Sequence, residues 1–126
     1  MPHLQFDTTA DPTAAGKESF AAAVTDHYTD HMETTAGHVA VTVRDRDPAD
    51  LHLGRAVDGP LAFLDADVRE GRPFELKRAF ALAAMEEVVE RWGVPEPNVK
   101  VTFTEHAGEE MMGYDRVGGS WGDDGE

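Results

Sequence analysis

The second residue of the chain is proline, directly behind the initiator methionine. Initiator methionine is commonly removed when a small residue follows, and its loss would leave Pro2 with a free secondary amine. The reference pKa of an α-amino group is roughly 7.7–8.0, and an apolar pocket lowers it by disfavouring the charged form. A neutral amine on a fixed ring is a general base at pH 7. A base of this kind needs groups that hold its substrate. Arg69 and Arg72 stand three residues apart at the start of an apolar helical pattern. Two guanidinium groups there can take a carboxylate bidentately, polarise a neighbouring carbonyl or enolate oxygen, and keep a nearby amine neutral by like-charge repulsion. The competing account is a pair of surface arginines answering acidic neighbours such as Glu70. Arg116 is a third candidate, either reaching a pocket across a subunit boundary or closing an edge-strand salt bridge.

Other residues carry weaker versions of the same argument. His27 and His31 have the i, i+4 spacing of a zinc pair, but no third ligand accompanies them and no metal is expected. His27 or Tyr28 could line a pocket; Tyr28 shares an apolar stripe with Phe20 and Val24, which favours core packing for it. Glu105, Glu109 and Glu110 are candidate acids in a chain where surface charge is the commoner role of a glutamate. Phe103, Met111 and Met112 would supply an apolar wall if they reach the pocket.

These residues need a scaffold, and an internal repeat supplies it. Shifted by 60 residues, the sequence falls on itself without gaps. Leu4 meets Leu64, Asp7 meets Asp67, Lys17 meets Lys77, Phe20 meets Phe80, and Val39, Val41 and Thr42 meet Val99, Val101 and Thr102. In the second copy, Leu61 to Val68 reads as a strand bounded by Gly59-Pro60. Pro73 suits the first turn of a helix that carries Leu76, Phe80, Ala84, Val88 and Trp92 on one face, with Gly93 and Pro95 closing it. Val99 to Phe103 is a second strand. The first copy repeats this with His3 to Asp7, Thr13 to Met32 and His38 to Val43. A crossover helix makes the two strands of each unit parallel. The expected fold is therefore α+β (α/β): two β-α-β repeats, a four-stranded mixed sheet, and two helices on one face. It forms one domain over 1–126, with repeat 1 at about 2–45, a linker or hairpin at 46–59, repeat 2 at about 60–105, and a C-terminal hairpin and tail at 106–126. Leu51-His52-Leu53 reads as a short hairpin strand, Ala107 to Met112 as a helical turn, Tyr114 to Val117 as an edge strand, and Trp121 as an anchor on a neighbour. The bare sheet face calls for oligomerisation, with sheets facing inward.

Composition narrows the partners. The net charge is −14, from 25 acidic and 11 basic residues, a field that repels phosphate backbones and argues against nucleic acid. The same acidity suits a solvated surface, as in a high-salt habitat. Cysteine is absent, which excludes disulfides, thiolate metal sites and a cysteine nucleophile. No apolar run approaches a membrane span, and the N-terminus lacks a signal pattern, so a cytoplasmic protein without membrane association is expected.

Together, Pro2 behind the initiator, the 60-residue β-α-β repeat, and the stretch Arg69-Glu70-Gly71-Arg72-Pro73-Phe74-Glu75-Leu76-Lys77 resemble the tautomerase superfamily. The similarity is to its fused two-repeat members of the cis-3-chloroacrylic acid dehalogenase type. Ala23 to Asp26 and Glu105 to Arg116 match more loosely. The resemblance implies a homotrimer, no cofactor, Pro2 as the proton-transfer group, and Arg69 and Arg72 as binders of a small carboxylate substrate. It places His27 or Tyr28 where the dehalogenases carry a substrate-binding histidine. Where they carry the tyrosine and glutamate that activate water, this chain has Thr102 and Gly113. Tautomerisation needs no activated water. The expected activity is thus keto–enol or 1,3-proton transfer on a 2-oxo or 2-hydroxy unsaturated acid. The alternatives are a hydratase or dehalogenase of a 3-haloacrylate-like acid, and a non-enzymatic trimer that binds other proteins.

Overall fold

The computed structural model describes residues 1–119; the expected anchor Trp121 lies outside the described residues. The main sheet has strands β1 (His3–Thr8), β2 (Ala40–Asp45), β3 (Ala62–Arg69) and β4 (Val99–His106), in the order β2-β1-β3-β4. Helices α1 (Ala14–Met32) and α2 (Phe74–Trp92) connect the strands within each repeat. β1 and β2 are parallel, β3 and β4 are parallel, and β1 meets β3 antiparallel at the centre. This is the expected mixed sheet.

The repeat is kept residue for residue. The helices begin and end 60 positions apart, as do the 3-10 turns Ala36–His38 and Glu96–Asn98. His3 pairs with Ala40 and Ala62 with Val99, the same offset in both copies. Gln5 pairs with its own counterpart Asp65, so a pseudo-twofold axis crosses the sheet there. It crosses the helix layer at His27 and Glu87, again counterparts, whose Nε2 and Oε2 stand 2.6 Å apart.

Alternation along the strands divides the sheet's two faces. Leu4, Phe6, Leu64, Ala66 and Val68 point to the helices and are buried with Phe20, Val24, Tyr28, Met32, Phe80, Ala84 and Val88. Aromatic rings knit this layer: Phe20 stacks on Trp92 at 4.1 Å and meets Phe6 edge-on at 4.8 Å. The opposite face carries polar residues. Arg44 binds Asp7 bidentately (Nε–Oδ1 2.9 Å, Nη2–Oδ2 3.0 Å), and Arg46 Nε adds 2.8 Å to Oδ1. The Asp7 carboxyl is held below its ordinary range, first by the Arg44 hydrogen bonds and also by Arg46, against an opposing effect of burial.

Four local expectations need correction. Pro73 caps α2 from outside, with extended backbone (φ −62°, ψ 153°), and does not open its first turn. Residues 51–53 form no strand, although Leu53 lies beside the open edge strand β4. The linker is instead clamped by buried Asn98, whose Nδ2 donates to the Val57 and Pro60 carbonyls at 2.9 and 3.0 Å while its Oδ1 accepts from Val57 N–H at 2.8 Å. The helical turn within 107–112 is a short 3-10 turn, Gly108–Glu110. The strand expected at 114–117 reduces to β6 (Arg116–Val117), which pairs with β5 (Met112–Gly113) in a separate two-stranded hairpin.

Candidate active site

Pro2 is buried immediately before β1, and its carbonyl accepts from Ala40 N–H at 3.0 Å. It borders a cavity of about 560 Å³ at one end of the sheet. Val39, Met111 and Met112 give this cavity an apolar wall; His3, His38, Asp67, His106 and Glu110 give it polar groups. Met1 also lines it and packs so tightly on Gly113 that a Cβ there would stand 2.6 Å from the Met1 Cε.

The polar groups are ordered by one another. His106 Nε2 lies 2.9 Å from Asp67 Oδ1, and Gln5 Nε2 donates to Asp67 Oδ2 at 2.8 Å. His3 Nε2 lies 2.7 Å from Thr42 Oγ1. None of His3, His38, Asp67 and His106 stands out in the sequence. The signal that could have found the Asp67–His106 pair is the repeat, since their counterparts 60 residues earlier, Asp7 and Arg46, carry opposite charges.

Arg69 ends β3, two residues past the Asp67 that faces His3 across the β1–β3 ladder. It is 2% exposed, and its Nη1 donates to the Gly119 carbonyl at 2.7 Å. It borders a second cavity of about 510 Å³, with Glu70, Gly71, Gly108 and Gly119. The segment 106–119 walls both cavities, and Arg69 does not line the Pro2 cavity. Arg72 is 6% exposed and lines neither of these cavities. Its Nε donates to the Met32 carbonyl at 2.8 Å, where a cation meets the negative end of α1, and its guanidinium sits 5.9 Å from the Tyr28 ring centre.

The remaining sequence candidates are dispersed. Tyr28 is fully buried, edge-on to Phe80 at 5.0 Å. His27 is brought to Glu87 on the pseudo-twofold and lines neither cavity described above. The Glu87 carboxyl is held below its ordinary range by its hydrogen bond from Arg91, with His27 adding to the effect. The His27 and His31 rings stack at 6.2 Å, and among the described residues no three His, Asp or Glu side chains gather as a metal site. Arg116 is exposed on β6. Of the two positions where water-activating groups were sought, Gly113 packs under Met1, and Thr102 is exposed at mid-β4, opposite Asp65. Among the described residues no helix is long and apolar enough to cross a membrane.

No family model and no curated protein matches the sequence. Solved structures do match. N1, a member of the cis-3-chloroacrylic acid dehalogenase family, superposes with a TM-score of 0.84 at 23% identity, covering 95% of this chain and 85% of its own. A fused 4-OT, solved as a symmetric trimer, gives 0.78 at 23% identity over 91% and 93%. The macrophage migration inhibitory factor of Toxoplasma gondii gives 0.80 at 19% over 91% and 98%. The likeness is one of architecture, over nearly the whole chain: the chain shares with these structures its fold of four mixed strands and two helices.

Proposed function

We propose that the chain is a cofactor-independent tautomerase that moves a proton between carbon and oxygen of a small 2-oxo or 2-hydroxy unsaturated carboxylic acid. The observation that carries the reading is the setting of Pro2: buried, at the head of a central strand, on a cavity with an apolar wall. Loss of Met1 would turn the Pro2 nitrogen into a secondary amine and open the space against Gly113. The apolar wall and the guanidinium at the end of the adjacent strand both favour the neutral amine. That amine takes the proton from the carbon next to the substrate carbonyl. In this reading Arg69 reaches the carboxylate from the neighbouring cavity, across the 106–119 segment that walls both, and Arg72, which lines neither cavity, ties the loop after β3 to α1 through the Met32 carbonyl. Tyr28 supports Arg72 from the core, His27 acts at most through Glu87 and the helix pair, and Arg116 serves a pocket only across a subunit boundary.

The working unit in this reading is a homotrimer. β4 is an open edge of the sheet, and beside it lies a groove of about 730 Å³ where Phe74 and Leu82 are exposed. Edges and apolar surfaces of this kind call for a second chain. The fused 4-OT neighbour is a symmetric trimer.

A second reading rests on Glu110. A carboxylate on the Pro2 cavity would hold a water for addition to an unsaturated acid, as a hydratase or dehalogenase requires.

The test begins with the intact mass of the purified protein, which should be short by one methionine. Ketonisation of phenylenolpyruvate is then followed for the wild type, Pro2→Ala and Arg69→Ala. Activity should fall in both variants. Unchanged turnover in Pro2→Ala, or a retained Met1, sinks the tautomerase reading; halide release from 3-chloroacrylate that depends on Glu110 favours the second.

A further inference from the structure

The two ends of the pseudo-twofold carry the same pair of side chains in different chemical forms. At the end away from Pro2, Asp7 is held by two permanent cations, Arg44 and Arg46. At the Pro2 end, Asp67 is held by neutral Gln5 and by His106, the counterpart of Arg46. A buried or half-buried carboxylate favours a positive partner. Arg46 is always charged, but His106 becomes a cation only by accepting a proton. With Nε2–H given to Asp67, its Nδ1 remains to exchange a proton, and His106 lines the same cavity as Pro2.

We propose that His106, oriented by Asp67, is a second proton-transfer residue of this cavity, serving the substrate oxygen while Pro2 serves the carbon. The proposal rests on the tautomerase reading and adds a group to it. In enolisation the Pro2 nitrogen takes the α-proton, the C–H pair becomes the C=C bond, and the carbonyl π pair takes the proton on His106 Nδ1. The enol leaves behind a protonated Pro2 and a neutral His106, and solvent returns one proton from the first to the second. Ketonisation runs these steps backwards and needs His106 neutral and Pro2 protonated.

The groups facing His106 are His3 from β1, Asp67 and Arg69 from β3, His38 from the 36–38 turn and Glu110 from the 108–110 turn. Glu110 is the rival acid.

The informative variant is His106→Arg, because the first copy shows an arginine seated on the equivalent aspartate at 2.8 Å. It keeps the ion pair and removes the exchangeable proton. On phenylenolpyruvate, kcat should fall on the order of 10²-fold, and the acidic limb of the kcat/KM–pH profile should disappear. Glu110→Gln should leave that limb in place. A His106→Arg enzyme with unchanged kcat and an intact acidic limb overturns the proposal, as does transfer of the limb to Glu110. A second readout does not need turnover. In 15N-labelled protein lacking Met1, oxalate, a stable mimic of the enolate carboxylate, should shift the His106 Nδ1 resonance. A resonance that stays put in saturating oxalate overturns the assignment whether or not the enol is processed. A shift in a protein that does not turn the enol over sinks the tautomerase reading and leaves His106 as a ligand-contacting group.

Discussion

Each helix ends in a residue with left-handed backbone, and the two copies fill that position differently. After α2 it is Gly93, at φ 67°; after α1 it is Glu33, at φ 54°. Glycine adopts this conformation without penalty, whereas a residue with a Cβ is disfavoured there by roughly 1–2 kcal/mol. Glycine also loses more freedom on folding, about 0.4–1 kcal/mol. Glu33 additionally places a carboxylate at the negative end of the α1 dipole, unfavourable by roughly 0.3–1 kcal/mol. Exchanging Glu33 for glycine therefore removes the first and third effects and adds the second. Glu33→Gly should stabilise the fold by about 1 kcal/mol, a rise in Tm of a few degrees for a chain of this size.

The reverse change isolates the backbone contribution. A Cβ built at Gly93 meets no atom within 4 Å, so Gly93→Ala brings no clash and should destabilise by about 1 kcal/mol through φ alone. Urea unfolding at fixed protomer concentration measures both variants, with concentration held constant because assembly would shift the midpoint. Asp11, at φ 54° opposite Gly71 at φ 113°, makes a graded comparison: aspartate tolerates this region better than glutamate, so Asp11→Gly should gain less. A Glu33→Gly protein no more stable than the wild type, beside a Gly93→Ala protein equally unaffected, would refute the left-handed assignment.

Other consequences follow from the contacts. Asn98→Ala removes three part-buried hydrogen bonds to Val57 and Pro60, so it should cost about 1–2 kcal/mol and speed tryptic cleavage at Arg55 in limited proteolysis. The Asp7 carboxyl is depressed by Arg44, and its stabilisation is complete above the unfolded aspartate pKa of about 3.9 and lost as pH falls through the lower folded value. Asp7→Asn should accordingly flatten the loss of stability in urea titrations below about pH 4, and an unchanged acid slope would exclude the pair as its source. A Cβ on Gly108 would overlap the Gly119 carbonyl, the acceptor of Arg69 Nη1. Gly108→Ala should raise KM for a carboxylate substrate several-fold with a smaller change in kcat, if Arg69 binds that carboxylate.

The architecture was legible because the repeat is gapless. Phe20 and Phe80, or Val41 and Val101, recur at one spacing, and a pattern with one spacing admits one register for both units. The site was less legible, for a reason visible in β4. Its apolar alternation stops at Phe103, yet the strand runs to His106 because the β3 backbone continues beside it through Asp67, Val68 and Arg69. Backbone pairing carries a strand further than hydrophobicity announces, and the extra residues are those that bring His106 to Asp67. The linker shows the converse. Leu51-His52-Leu53 has the alternation of a strand, but the linker is held beside β4 by side chains, with Asn98 on Val57 and Pro60 and Arg55 on the Pro97 and Val99 carbonyls, and not by a strand ladder. Arg69 and Arg72 were visible as a pair, but not their absence from the lining of the Pro2 cavity, whose wall is built by the segment that follows β4.

The repeat also explains why one end of the sheet, and not both, can be a site. The counterparts of Pro2, Arg69, Arg72 and His106 are Ala62, Thr9, Pro12 and Arg46, so the far end has neither an amine nor a pair of loop arginines. It is also sewn shut: Thr9 N–H and Thr8 Oγ1 both donate to the Leu61 carbonyl, at 3.1 and 2.8 Å, and Leu61 N–H donates to Thr9 Oγ1 at 2.9 Å. Leu61 is the counterpart of Met1. At the far end the chain passes through that position and three hydrogen bonds hold it, so nothing there can be vacated. At the Pro2 end the same position is Met1, whose side chain lines the cavity; its removal, as the proposed reading requires, would at once free the amine and enlarge the space beside it. A trimer of this chain would thus present three reactive ends and three closed ones, and an active-site titrant of the Pro2 amine should saturate at one equivalent per chain.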